Sequence, residues 1–288
     1  MRCSKNAPRR QGESNRRVRR RHLLGFAAAP SASGERWSGL RPTFAEEFDR
    51  FDWNEASSTS FRQRTPTGRW STRYWWNDGD RTAPANGERQ FYSDATVGPH
   101  PFAVRDGALV ITARPSADLA ATQGLPYVSG MITTEGTFSQ RYGRFEMRAR
   151  LPRGRGLWPA FWLLPEDHSW PPEIDIVEVL GHEPTRFFGS AHSMASGVRE
   201  AAVRDAAVDD LSEGFHTFGL SWRPDRLAWH VDGRRVIDLP TADDMHRPMY
   251  LLANLAVGGT WPGDPDAATP FPAEMSIDHI RVWQFSDL

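Results

Sequence analysis

Three acids sit close together in Trp170-Pro171-Pro172-Glu173-Ile174-Asp175-Ile176-Val177-Glu178-Val179-Leu180-Gly181. They alternate with β-branched residues, the pattern of an extended strand. Side chains at i and i+2 share one face of a strand. Glu173 and Asp175 therefore point together, and Ile174 and Ile176 point into the opposite layer. Glu178 is five positions after Glu173, so strict alternation would turn it to the apolar side. A carboxylate buried there without a partner costs several kcal/mol. One β-bulge within Ile176-Val177 restores the phase and brings all three acids to one face.

Clustered carboxylates can divide nucleophile and general-acid roles, because acids crowded together cannot all ionise and at least one pKa must rise. That is the chemistry of glycoside cleavage. Retaining enzymes hold their carboxyls ~5–5.5 Å apart and inverting enzymes ~6.5–9.5 Å. The Cα atoms of Glu173 and Glu178 would lie roughly 13–16 Å apart in a regular strand. The bulge and two long side chains shorten that gap, which leans toward retention without deciding it. A solvated strand edge or a metal site would use the same residues. Upstream, Trp158 and Trp162 in Gly156-Leu157-Trp158-Pro159-Ala160-Phe161-Trp162 are four apart and share a face if extended. They can be core indoles or platforms for sugar rings.

The elements that must position these residues are strands. Segments 108–113, 143–150, 215–222, 249–257 and 275–283 are β-branched, alternating or continuously apolar. Residues 227–237 form a hairpin candidate turning at Asp232-Gly233. Only 200–210 has helix-compatible composition, and it can equally be loop. The 24 glycines and 22 prolines punctuate the strands. This pattern predicts an antiparallel sandwich able to curve one face into a polymer cleft.

Thirty-five basic and 36 acidic residues give a formal charge of -1, no field for nucleic acid or an anionic membrane. Arginines crowd the first 22 residues, so the remainder is acidic. The one cysteine, Cys3, allows no internal disulfide and no cysteine metal site. No apolar run approaches transmembrane length. Arg20-Arg21-His22-Leu23-Leu24, the apolar residues 23–30 and Ser31-Ala32-Ser33 outline a twin-arginine export signal, against the alternative of a plain basic tail. The expected organisation is a tail over 1–36 and one domain over 37–288, secreted or periplasmic and monomeric.

The ordered set of motifs resembles glycoside hydrolase family 16. Glu173-Ile174-Asp175-Ile176-Val177-Glu178 looks like that family's bulged catalytic signature. Tyr142-Gly143-Arg144-Phe145-Glu146 and residues 156–162 resemble the preceding strands of its laminarinase-like members. Residues 254–263 and 277–283 resemble their C-terminal strands, and Asn86-Gly87-Glu88-Arg89-Gln90-Phe91-Tyr92 their early cleft segment. The likeness runs over residues 43–285. It implies an all-β jelly-roll sandwich of two antiparallel sheets with a concave cleft. It implies a retaining endo-β-glycanase acting on β-1,3- or mixed β-1,3/1,4-glucan, with polysaccharide as its partner and no catalytic cofactor.

By the same resemblance Glu173 is the nucleophile, Glu178 the acid/base, and Asp175 the residue that keeps the nucleophile poised. His192 would lie near the acid/base, its alternative being a satisfied polar strand residue. Asn86, Trp158, Trp162 and Asn254 would contact sugar. Glu47, a backbone carbonyl near Gly107, and Asp278 match a structural calcium site, whose hard oxygen donors suit that ion. Gly87 and Arg89 depart from the laminarinase-like Asn and Leu. The segments 75–86 and 198–212 look more like bacterial members acting on exopolysaccharides, so a succinoglycan-like polymer is the rival substrate. A non-catalytic glucan-binding module would be expected to lack one of the two glutamates.

Overall fold

A computed structural model describes residues 39–53 and 68–288. The tail over 1–36, Cys3 and the export motif lie outside the described residues. Among the described residues, seventeen strands run in order: β1 (Leu40–Glu46), β2 (Gln90–Tyr92), β3 (Phe102–Arg105), β4 (Ala108–Pro115), β5 (Tyr127–Ser129), β6 (Met131–Thr133), β7 (Ser139–Gln140), β8 (Gly143–Arg150) and β9 (Leu157–Pro165). The remainder are β10 (Glu173–Glu178), β11 (Arg186–Ser193), β12 (Glu200–Ala207), β13 (His216–Trp222), β14 (Arg226–Val231), β15 (Arg234–Pro240), β16 (Met249–Val257) and β17 (Ala273–Phe285).

Two sheets form a jelly-roll sandwich. One has ten strands, with the path β15-β14-β13-β8-β17-β4-β5-β2, β1 on β17 and β3 on β4. The other has seven, with the path β12-β11-β10-β9-β16-β6 and β7 on β16. The pairing is antiparallel with one departure from expectation: β2 and β5 run parallel.

The core forms where the inward faces meet. Phe145, Met147 and Ala149 of β8 pack with Phe161 and Leu163 of β9 and Leu251, Ala253 and Leu255 of β16. β16 is buried along its whole length because it has two covered faces. Its other face puts Tyr250 and Leu252 into a smaller cluster with Tyr74, Tyr92 and Leu164. The hairpin forms as its sequence requires: Asp232 and Gly233 have φ of 50° and 76°, the positive values a two-residue turn needs.

Residues 200–210, read as helix-compatible or loop, are corrected by the structure. β12 pairs with β11 over eight consecutive residues, from Arg186 with Ala207 to Ser193 with Glu200. An uninterrupted backbone ladder overrides the helix propensity of its alanines. Among the described residues, no helix is long and apolar enough to cross a membrane.

Candidate active site

The bulge is where strand parity requires it. On β9, Trp162 faces Asp175 and the next residue back, Phe161, faces Val177, so Ile176 is the extra residue. On β11, Ser190 faces Asp175 and Phe188 faces Glu178. Ile174, Ile176, Val177 and Val179 all enter the core. Glu173, Asp175 and Glu178 line a cleft of about 910 Å³ on the outer face of the seven-stranded sheet.

The bulge is braced from behind. Trp229 of β14, in the opposite sheet, donates its indole N–H to the Asp175 carbonyl at 2.8 Å. A bulge interrupts the ladder, and this donor satisfies a buried oxygen beside the interruption. Gly189 of β11 makes room, since a Cβ there would sit 2.7 Å from Trp229 Nε1.

Each glutamate has its own donors. Glu178 Oε1 accepts from Trp158 Nε1 at 3.0 Å, and its Oε2 accepts from Ser190 Oγ at 3.2 Å. Glu173 Oε2 accepts from Trp170 Nε1 at 2.7 Å. His192 Nε2 lies 3.2 Å from Asp175 Oδ2 and 3.9 Å from Glu173 Oε1. The histidine predicted beside Glu178 therefore stands on the Glu173–Asp175 side, because the β10–β11 register sets it opposite Glu173.

Protonation follows from this crowding. Burial, then the charges of Asp175 and Glu173, push Glu178 well above the usual carboxylate range. Burial and the Asp175 charge raise Glu173 to about 8, against the pull of His192 and the Trp170 N–H. Burial opposes the charge on His192, but the hydrogen bond and charge of Asp175 outweigh it and lift the imidazole to about 9. His192, set against Asp175, thus holds its proton more tightly than a free imidazole, and Glu173 and Glu178 hold theirs more tightly than free carboxyls.

The predicted binding residues divide between jobs. Trp158, Trp162, Asn86 and Asn254 all line the cleft. Trp158 also holds Glu178, and Trp162 donates to Asn254 Oδ1 at 2.8 Å. Sequence reasoning missed Trp170, Ser190, Glu88 and the cleft residue Trp261. Ser190 carried a signal, being two residues before His192 on a strand and so on its face. Trp170 lies three residues before Glu173, beyond strand logic. Trp261 is brought in by a loop and meets Trp158 edge-to-face, with centroids 5.5 Å apart.

The calcium set does not fit. Both oxygens of Glu47 are taken by Arg281, through Nε and a terminal nitrogen, each at 2.8 Å. Asp278 is held by Arg148 at 3.0 Å and His279 at 2.9 Å. Gly107 shapes the turn between β3 and β4. The neighbouring Glu46 accepts from Phe48 N and Trp70 Nε1. Guanidinium groups neutralise the carboxylates that a calcium ion would need. One group of side chains among the described residues has metal-ligand proximity, Glu173, Asp175 and His192, and it is the cluster in the cleft.

The profile of "Glycosyl hydrolases family 16" matches residues 88–281, which include all three acids and their strand. The chain belongs to glycosyl hydrolase family 16. Two relatives from Rhizobium meliloti (strain 1021) fit this membership, the endo-1,3-1,4-beta-glycanases ExsH and EglC. They are 40% and 39% identical over 253 residues, covering 85% of this chain. The chain spans about half their length, 52% of each. The endo-beta-1,3-glucanase structure from Pyrococcus furiosus superposes with a TM-score of 0.71 at 32% identity, covering 85% of this chain and 95% of that one.

Proposed function

We propose that the protein is a retaining endo-β-glycanase that cleaves β-1,3- or mixed β-1,3/1,4-linked glucan by double displacement. The observation that carries this reading is the bulged strand, which sets Glu173, Asp175 and Glu178 together on the floor of a long aromatic cleft. Glu178 keeps its proton and stands as general acid. Glu173, flanked by the His192 cation and the Trp170 N–H, is the nucleophile.

In the first step Glu173 attacks the anomeric carbon while Glu178 passes its proton to the departing glycosidic oxygen. The bond to the leaving sugar breaks and a glycosyl–Glu173 ester forms. In the second step Glu178, now a carboxylate, takes a proton from water, the water oxygen bonds to the anomeric carbon, and Glu173 is released. The positive charge developing at the sugar ring favours the Glu173 anion in each transition state. Protein carboxylates and water complete the cycle without a cofactor.

The names of the two rhizobial relatives support the mixed-linkage substrate and leave room for a bacterial exopolysaccharide handled by the same mechanism. A panel of laminarin, lichenan, a succinoglycan-like polymer and agarose, with product linkage analysis and NMR of the first-formed anomer, separates the two. We expect a β-anomer first. An α-anomer would overturn retention. Glu173→Gln is expected to abolish cleavage with fold and glycan binding intact, and activity above a few per cent would move the nucleophile elsewhere. Azide should restore turnover of an activated aryl glycoside by Glu178→Ala. Export through Arg20-Arg21 is a further proposal, tested by fusing residues 1–36 to a reporter that is active only after export.

A further inference from the structure

Glu88 is a buried carboxylate that the proposed double displacement does not use. It is 8% exposed and lines the cleft two residues before β2. Its Oε1 accepts from Asn86 Nδ2 at 2.9 Å. Its Oε2 accepts from Gln90 Nε2 at 2.5 Å and from Tyr92 Oη at 3.2 Å. Tyr92 Oη accepts in turn from Asn254 Nδ2 at 2.9 Å, and Asn254 Oδ1 accepts from Trp162 Nε1 at 2.8 Å.

The chemistry of the end groups gives this chain one direction. An indole N–H can only donate, so the Asn254 atom it meets must be the carbonyl oxygen. The Asn254 amide nitrogen must then face Tyr92, whose oxygen accepts and whose proton is free to go onward. An ionised carboxylate can only accept. Glu88 is therefore a sink that receives the Tyr92 proton on one oxygen and the Asn86 amide on the other. With its nitrogen so engaged, Asn86 is left its carbonyl oxygen to offer to a sugar hydroxyl.

We infer that Glu88 is a positioning residue for glycan binding, the terminal acceptor that orients Asn86, Asn254 and Trp162 in the cleft. The inference rests on the proposed glycanase reading for its substrate but not for its wiring. It links β2, outside the seven-stranded sheet, to β16 and β9 within it. Asn86 and Trp162 are thereby set by one group although 76 residues separate them in sequence.

Glu88→Gln tests it, because the amide keeps the shape but has one acceptor oxygen where two are needed. Either Asn86 or the Gln90–Tyr92 pair then meets an N–H. The first readout is the indole N–H region of a 1H–15N spectrum, with the Trp162 resonance assigned by its loss in Trp162→Phe. We expect the Trp162 signal to move in Glu88→Gln although the two residues do not touch. A stationary Trp162 signal overturns the wiring, whether or not any glucan is cleaved. The second readout is kinetic, on whichever glucan the wild type cleaves. KM should rise about tenfold, as expected when charged hydrogen bonds are lost, with kcat changed less than about threefold. Glu88→Gln and Trp162→Phe should combine to less than the product of their separate effects.

An unchanged KM, or multiplicative effects, overturns the positioning role. If the wild type cleaves no glucan, the proposed function fails while the indole spectrum still judges the wiring. Should Glu88→Gln not fold, Tyr92→Phe cuts the same chain one link later. It should move the Trp162 signal equally, and a stationary signal there counts against the inference.

Discussion

At the residue scale, Glu173 and Glu178 are the same amino acid in different company. Each accepts an indole N–H, but Glu173 also faces the His192 imidazole and Glu178 the Ser190 hydroxyl, and this difference divides the roles. The acid limb of kcat/KM should follow ionisation of Glu173, raised to about 8, and the alkaline limb the loss of the Glu178 proton. His192 lowers the Glu173 pKa. His192→Asn should therefore move the acid limb to higher pH, as a pH–rate profile would show, and an unmoved limb would remove His192 from this role. A linked expectation concerns stability. Glu173 binds its proton more tightly when folded, at about 8 against the ordinary 4.5 of a free glutamate side chain. Its contribution is full below pH 4.5 and is lost as pH rises toward 8. Glu173→Gln should melt above the wild type at pH 8 and converge with it near pH 4, a comparison that thermal scans at both pH values can make.

At the element scale, the decisive device is one extra residue in β10. Ile176 turns the strand phase so that Glu178 joins the cleft while four apolar neighbours stay in the core. Trp229 and Gly189 hold that phase from the far sheet and the next strand. Trp229→Phe leaves the Asp175 carbonyl buried without its donor, a cost of ~1–3 kcal/mol. Gly189→Ala places a methyl group against the indole nitrogen, and overpacking costs ~1–3 kcal/mol. Both should lower Tm and kcat together in melting and rate assays. Loss of Tm with full kcat would show that the bulge keeps its phase without the brace.

At the scale of the whole molecule, the segment carrying Asn86 and Glu88 lies outside the seven-stranded sheet whose cleft it lines and must be fastened beside it. Arg81 and Asp94 form an ion pair at 2.8 Å with both side chains almost wholly buried. Thr72 donates to the same Asp94 oxygen, and Thr96 backbone N donates to the other. Burial alone would raise the Asp94 pKa, but Arg81 and these donors hold it below the usual range. Removing one partner of such a pair costs ~3–5 kcal/mol, since the other charge stays buried. Arg81→Met should show that loss in denaturant unfolding and also raise KM, because the segment it anchors carries the cleft rim. A destabilised variant with unchanged KM would confine Arg81 to stability.

The strands, the Asp232-Gly233 turn and the three acids were legible in the sequence because each depends on nearest neighbours and a period of two. The bulge was legible for the same reason: parity left Glu178 nowhere else to go. Partners set by register or by loops were not. His192 moved to the Asp175 side because β11 pairs Glu173 with it. β12 is a strand because an eight-residue ladder outweighs its alanines. Glu47 and Asp278 lost their place in a calcium site to Arg281 and Arg148, whose positions no local pattern encodes. The sequence by itself determined which side chains face the cleft from β10. Tertiary structure alone decided what each of those side chains touches, because hydrogen-bond partners lie many residues apart: Trp158 meets Glu178 only when β9 pairs with β10, and Trp229 meets Asp175 only when the two sheets close.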